Sequence, residues 1–401
     1  IEVASSTNGQ LMPPIMGAAA FIMAEYCNLT YFEVVRAAII PALISYLALI
    51  YITHLEASKL GLKGVPKEEL PLIKPLLLGG IPFLVPLGFL LYQLMVMRRS
   101  PQLSAYYAIC ALMGVMVARE LWFGQREKRS FISSIKNAGL LISDSLVAGA
   151  QSMIAIAVAV ATAGIIVGIV TLGLGAVITD LIDILSGGML VPLLLITAVA
   201  SLILGMGLPT TANYIVMASL TVPVIVTLGG ESGLVVPVIA AHMFCFYFGI
   251  LADDTPPVAL AAYAAAAISK ADPFRTGVQG FLYDMRTAIL PFIFIFNTDL
   301  LLIGIDGWAS IVWVFVTALI AMFGFAALTQ NWLIAKNRMY ESLLLAAMSI
   351  LLFRPDVGQM VFDGMSKLSV QIAALILLAV VLLSQKMRIV RSTSSELVES
   401  T

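Results

Sequence analysis

The chain has 401 residues, of which 61% are hydrophobic and 11% charged, with a formal net charge of −1. Soluble domains carry about 25% charged residues, so the polar surface needed to enclose a water-soluble body of this size is missing, and lipid is the solvent that fits. The near-zero charge provides no broad basic field and excludes nucleic acid as a partner.

Cys27, Cys110 and Cys245 all stand in apolar runs. They make no metal-ligand spacing, argue against a disulfide framework, and read as small buried residues. Ile1 opens the chain without a basic n-region or a cleavage pattern. No signal peptide is expected, and the sequence reads as the interior of a longer protein.

The first element is the polar cluster Ser5-Ser6-Thr7-Asn8-Gly9-Gln10, followed by Pro13-Pro14 and an apolar run. Proline lacks an N–H and clashes with the preceding turn, so a helix must break there. In lipid the freed carbonyls need a partner. Carbonyls together with Ser, Thr and Asn oxygens suit Na⁺, and half-helix N-termini suit an anion. A loop at the membrane surface is the other reading of the pattern.

Apolar windows of spanning length, roughly 20 residues, follow at 37–53, 75–97 and 100–118. Two loops are rich in charge. One holds Lys59, Lys63, Lys67, Glu68, Glu69 and Lys74; the other holds Arg119, Glu120, Arg126, Glu127, Lys128, Arg129 and Lys136. An excess of Lys and Arg marks cytoplasmic loops. Both can be cytoplasmic, at the cost of facing Arg98 and Arg99 outward. Residues 120–136 fit an amphipathic interfacial helix or a solvated loop.

The stretches 145–179 and 184–230 contain no charge. Each is too long for one span and must turn back. At the centre of the second stand Gly205-Met206-Gly207-Leu208-Pro209-Thr210-Thr211-Ala212-Asn213. Arms of about 20 residues on either side predict a helical hairpin whose tip lies inside the protein. Glycines permit the tight turn, and a Gly-Pro turn at the surface is the alternative. His242 and Cys245, three apart, read as a packed core pair rather than metal ligands.

Ala252-Asp253-Asp254-Thr255-Pro256-Pro257 places two adjacent carboxylates between apolar segments. An intramembrane ionisable residue is a functional hypothesis by default. Neighbours in sequence do not share a helix face, so the two aspartates serve different purposes, unless both sit in a water-exposed loop. Further windows at 232–252, 255–269, 287–305, 307–335, 341–353 and 368–385 bring the expected total to about ten to twelve membrane elements. The expected division is a permease domain over 1–300, a C-terminal membrane extension over 301–385, and a polar, disordered tail over 386–401.

An internal repeat runs through this pattern. Pro13-Pro14 with Ala18, Ala19 and Ala24 matches Pro256-Pro257 with Ala261, Ala262 and Ala267. Ala38-Ile39-Ile40-Pro41 resembles Ala288-Ile289-Leu290-Pro291 once seven extra residues are allowed. Secondary transporters are commonly built from two such repeats, often inverted. The long uncharged stretch precedes only the second copy, so the first is expected to have lost its leading half. No Gly-x-Ser-x-Gly, phosphate loop or His-Glu-x-x-His occurs, and without a phosphate loop the chain is not expected to hydrolyse ATP.

Three segments resemble the fused permease of tripartite ATP-independent periplasmic (TRAP) transporters, in the variety served by TAXI-type binding proteins. They are Ser5 to Phe21, Gly205 to Tyr214, and Ala252 to Leu260. The resemblance covers residues 1 to about 300. It implies an all-α polytopic membrane protein with inverted repeats, re-entrant hairpins and unwound helices, an elevator-type ion transporter fold in the bacterial inner membrane. It also implies a periplasmic solute-binding protein that delivers an organic anion, often a carboxylate, with Na⁺ as coupling ion and no other cofactor. By position, Ser5, Ser6, Thr7, Asn8, Gly9 and Pro13 belong to the first unwound helix. Gly205, Gly207, Pro209, Thr210, Thr211 and Asn213 belong to the hairpin tip, and Asp253, Asp254, Thr255 and Pro256 to the second unwound helix. The family's first hairpin and its small membrane subunit, fused upstream, are not in this sequence. A membrane-embedded enzyme using Asp253 and Asp254, and a channel, are the alternative functions.

Overall fold

Proline and glycine punctuate an otherwise continuous apolar sequence, and the chain folds into helices between those marks. The computed structural model describes every residue except 71–72, 170–171, 174, 207, 306, 362–364 and 400–401. Among the described residues no strand forms beyond an isolated bridge between Trp332 and Lys336. This is an all-α polytopic membrane protein, as composition predicts. Among the described residues six helices are long and apolar enough to span a bilayer. A seventh candidate is a pair bent by 105°.

Two compact units divide the chain. One comprises residues 20–35 and 64–169. Within it, α4 (Ile73–Leu91) continues into a π-helical turn, Tyr92–Val96, and is followed by α5 (Pro101–Arg126) and α6 (Phe131–Ile169). Ser100 caps α5 by accepting from the Leu103 N–H, and Pro101 occupies its first turn, where the missing N–H costs nothing. One expectation is corrected here. The segment 120–136 is neither a separate interfacial helix nor a loop; α5 runs to Arg126 and α6 starts at Phe131. The turn between them is closed by Ser134, whose side chain lies where a Cβ on Gly124 would be. From its polar start α6 runs to Ile169 and the next helix begins at Gly175, so no single helix covers the uncharged stretch 145–179. Arg98 stacks over Phe32, and Arg99 over Tyr107. Cys110 is exposed and Cys27 half-buried, so of the three only Cys245 is the buried residue expected.

The other unit comprises residues 1–19, 36–63 and 170–401. It contains α1 (Glu2–Thr7), most of α3 (Tyr31–Lys59), α7 (Gly175–Ser186), and the hairpin arms α8 (Leu190–Gly205) and α9 (Thr210–Glu231). After these come α10 (Val238–Leu251), α11 (Leu260–Ser269), α12 (Pro273–Phe296), α13 (Trp308–Thr329), α14 (Met339–Phe353), α15 (Pro355–Val361) and α16 (Lys367–Glu399). The core is α10, buried from Ile239 to Leu251, with Phe244, Phe248 and Phe292 packed edge-to-face or tilted on one side. His242 meets the Tyr214 hydroxyl at 2.8 Å and Cys245 meets Thr221 at 3.3 Å, both within this core. The tail predicted to be disordered is instead a continuation of α16 to Glu399, a stretch with neither proline nor glycine.

The repeat is visible in local geometry. After α1 the chain tightens into a 3₁₀ turn, Asn8–Leu11, and becomes extended at Met12. After α10 it tightens at Ala252–Asp254 and becomes extended at Thr255. Both Pro-Pro bonds, 13–14 and 256–257, are cis. Met16 and Ala259, each three residues past the first proline, both hold positive φ. Each break is followed by a short apolar helix, α2 (Ala18–Tyr26) or α11, and then a long helix with an internal proline, Pro41 in α3 and Pro291 in α12.

Candidate ion and substrate site

The two breaks and the hairpin tip meet. At the first break Thr7 and Asn8 are buried, and at the second Asp254 is buried. The Thr7 hydroxyl lies 2.6 Å from Asp254 Oδ2 and 2.8 Å from the Val3 carbonyl, one proton between two acceptors. Thr210, the first residue of α9, donates to Asp253 Oδ2 at 2.7 Å and accepts from Gln10 Nε2 at 3.3 Å. Adjacent aspartates thus point to different partners: Asp253 holds the hairpin tip, and Asp254 holds the first break.

Gly205 ends α8 where no side chain fits. A Cβ there would lie 2.2 Å from Asn213 Nδ2 and 2.3 Å from the Ala252 Cβ. The fully buried Asn213 donates to the Ser201 carbonyl at 3.0 Å and closes the hairpin. Asn213 Oδ1, Ser201 Oγ and Thr197 Oγ1 remain buried without a hydrogen-bond partner.

A layer the sequence reading missed lies behind Asn8. Asn8 Nδ2 donates to Asp284 Oδ1 at 2.8 Å, and Asn8 Oδ1 lies 3.2 Å from Ser45 Oγ and 3.0 Å from Thr287 Oγ1. The Arg286 guanidinium is buried with it, 1% exposed, and pairs with Asp284 Oδ1 at 3.1 Å. It also donates to the carbonyls of Ser45 and Tyr283. Ser45 belongs to α3; Asp284, Arg286 and Thr287 belong to α12. These are the paired long helices of the repeat, so each copy contributes one break and one wall. The available signal was a charge pair, Asp284 and Arg286, just ahead of the apolar window that starts at 287.

The electrostatics are unbalanced. Asp254 and Asp284 stand next to each other and are 1% and 0% exposed. Asp254 Oδ1 and Asp284 Oδ2 meet no other donor, and the two carboxyl groups lie within hydrogen-bond reach of each other. Among the described side chains of this layer two carboxylates face one guanidinium. Buried charge is tolerated when paired, and one guanidinium balances only one of the two carboxyl groups when both are ionised.

Other expected residues contribute less. Ser6 is exposed and bonds to Glu2, and Ser5 bonds to the Glu2 carbonyl. Gly9 is exposed, with the Tyr46 hydroxyl beside it. Pro13, Thr211, Thr255 and Pro256 are half-buried, and the Thr255 hydroxyl returns to the Leu251 carbonyl. Pro209 is exposed at the start of α9. Gly207 lies outside the described residues. No group of three or more His, Cys, Asp or Glu suited to a metal ion occurs among the described residues.

Residues 311–363 match a domain of unknown function, DUF3394. Among characterised proteins and solved structures, none matches the chain significantly. Residues 1–309, which hold both breaks, the hairpin and the Asp284–Arg286 pair, match the tripartite ATP-independent periplasmic transporter family, DctM component. With more than half of its length matched and with the helices to cross a membrane many times, the chain belongs to that family, as its large permease component.

Proposed function

We propose that this permease moves a small organic anion, a carboxylate, inward across the bacterial inner membrane together with Na⁺. A TAXI-type periplasmic binding protein delivers the solute, and a small membrane subunit fused upstream completes the membrane part. The observation that carries the reading is the pair of buried, adjacent carboxyl groups Asp254 and Asp284 beside a single guanidinium, each with one oxygen that no other donor reaches. A cation there offsets a charge that otherwise costs about 2.5–3.5 kcal/mol in a membrane interior. A hard monovalent ion suits carboxylate and hydroxyl oxygens.

Coupling follows from the bonds at the breaks. Asp253 ties the tip to the second break through Thr210, and Thr7 ties the first break to Asp254. A cation at Asp254 neutralises the carboxyl that holds Thr7, so its arrival and departure bias how the breaks sit against the tip. A ligand shifts a two-state transporter only through such differential interaction. The experiment is uptake by liposomes containing the full-length protein and its binding protein. Uptake should follow an inward Na⁺ gradient and cease when K⁺ replaces Na⁺; uptake indifferent to Na⁺ would sink the coupling.

A further inference from the structure

The loop between α13 and α14 returns to the end of α16 and builds a basic cleft. Gln385 Oε1 accepts from the Ile334 and Ala335 N–H groups, each at 3.0 Å, and Arg388 donates to the Lys336 carbonyl at 2.7 Å. Asn337 is buried and bonded to Gln385 and to the Ala327 carbonyl. The loop is thereby fixed, and Lys336 and Arg338, on either side of Asn337, line a cleft of about 410 Å³ with Arg388 and Ile389.

Three cationic side chains therefore border one small volume. The nearest carboxylate, Glu341, is fully buried, and five donors occupy it: the Arg338 N–H, Tyr340, Ser384, Gln385 and Arg388. Lys336 and Arg338 form no ion pair among the described residues and are exposed. Ile389 of α16 lines the cleft, and on the same helix Leu383 and Met387, four residues apart and so on one face, are 59% and 57% exposed. Lys336, Arg338, Lys386 and Arg388 gather at this end of the module, whereas at its other end Arg354 and Lys367 stand with Asp299 and Asp356 and the charges balance. The positive-inside rule assigns the basic end to the cytoplasmic surface, where anionic lipids concentrate and basic pockets beside spanning helices hold their phosphates.

We propose that this cleft binds the phosphodiester headgroup of an anionic lipid of the cytoplasmic leaflet, with Lys336, Arg338 and Arg388 on the phosphate and the acyl chains along Leu383 and Met387. Lys336 and Arg338 lie within the matched domain of unknown function and Arg388 beyond it, so the cleft gives the C-terminal module a task separate from the transport site.

The test uses the full-length protein in phosphatidylcholine nanodiscs with or without phosphatidylglycerol, and native mass spectrometry to count the lipid retained. The wild type retains phosphatidylglycerol. K336Q/R338Q, which changes two exposed side chains, binds it about tenfold more weakly or worse. R126Q, an exposed arginine in the other unit, leaves retention unchanged. Thermal unfolding in pure phosphatidylcholine checks that K336Q/R338Q remains folded; if it does not, K336Q alone is measured, with a smaller loss expected. Retention equal to wild type in the folded variant overturns the proposal. Inorganic phosphate that displaces the lipid, and binds as tightly by itself, reassigns the cleft to a soluble anion and overturns the lipid assignment.

Discussion

Among the described residues carboxyl groups are buried in two places, and the chain treats them in opposite ways. Around Glu341, in the C-terminal module, every acceptor position is filled and a cation stands beside it. The neighbouring Gln385 and Asn337 are equally satisfied. Around Asp254 and Asp284, in the permease part, one oxygen on each meets no other donor and a single guanidinium faces both carboxyl groups. Buried polar groups are nearly always paired, so the first cluster is what stability alone produces. The second departs from that rule at the point where two interrupted helices and a hairpin tip converge. An incomplete cluster is the one that can take up and release a guest.

The comparison can be broken most forcefully at Arg286. Arg286→Ala leaves Asp284 without its cation, and removal of one buried partner costs about 3–5 kcal/mol. The expected outcome is loss of folded protein, read as yield and thermal unfolding in detergent. Glu341→Ala strips the acceptor from several donors and costs up to about 3 kcal/mol. It should lower the melting temperature while the surviving folded protein keeps its Na⁺-dependent uptake. If Glu341→Ala abolished the Na⁺ dependence instead, the two clusters would not differ in kind.

Gly205→Ala forces a Cβ into Asn213 and Ala252, an overpacking of about 1–3 kcal/mol. Uptake should fall more than stability does, because the strain falls on the tip. Thr210→Val removes the hydrogen bonds to Asp253 and from Gln10, each worth about 0.5–1.5 kcal/mol. Initial uptake rates should fall, since the tie from the tip to Asp253 is gone. Rates equal to wild type would remove Asp253 from the coupling.

Sequence reading found the features that violate membrane chemistry one at a time. Pro13, Pro256, Gly205 and Asp254 each interrupt an apolar stretch, and each interruption is a break, a tip or a buried charge in the fold. The repeat was legible for the same reason. Asp284 and Arg286 were not, because they sit two apart in α12 after the more polar residues at 272–279 and resemble the edge of a span. Which oxygens lack partners depends on convergence of segments far apart in sequence, and no local pattern encodes that. The continuity of α16 was missed for a different reason. Changes in polarity were read as boundaries, whereas a helix ends where backbone chemistry ends it.

The most direct test of the central claim is thermal unfolding of the purified full-length protein as Na⁺ replaces K⁺ at constant ionic strength, for the wild type and for Asp254→Asn. A cation that binds only the folded state raises the melting temperature with its concentration. The account predicts that Na⁺ raises it in the wild type and leaves the folded Asp254→Asn variant unmoved. An equal Na⁺ response in both would contradict it.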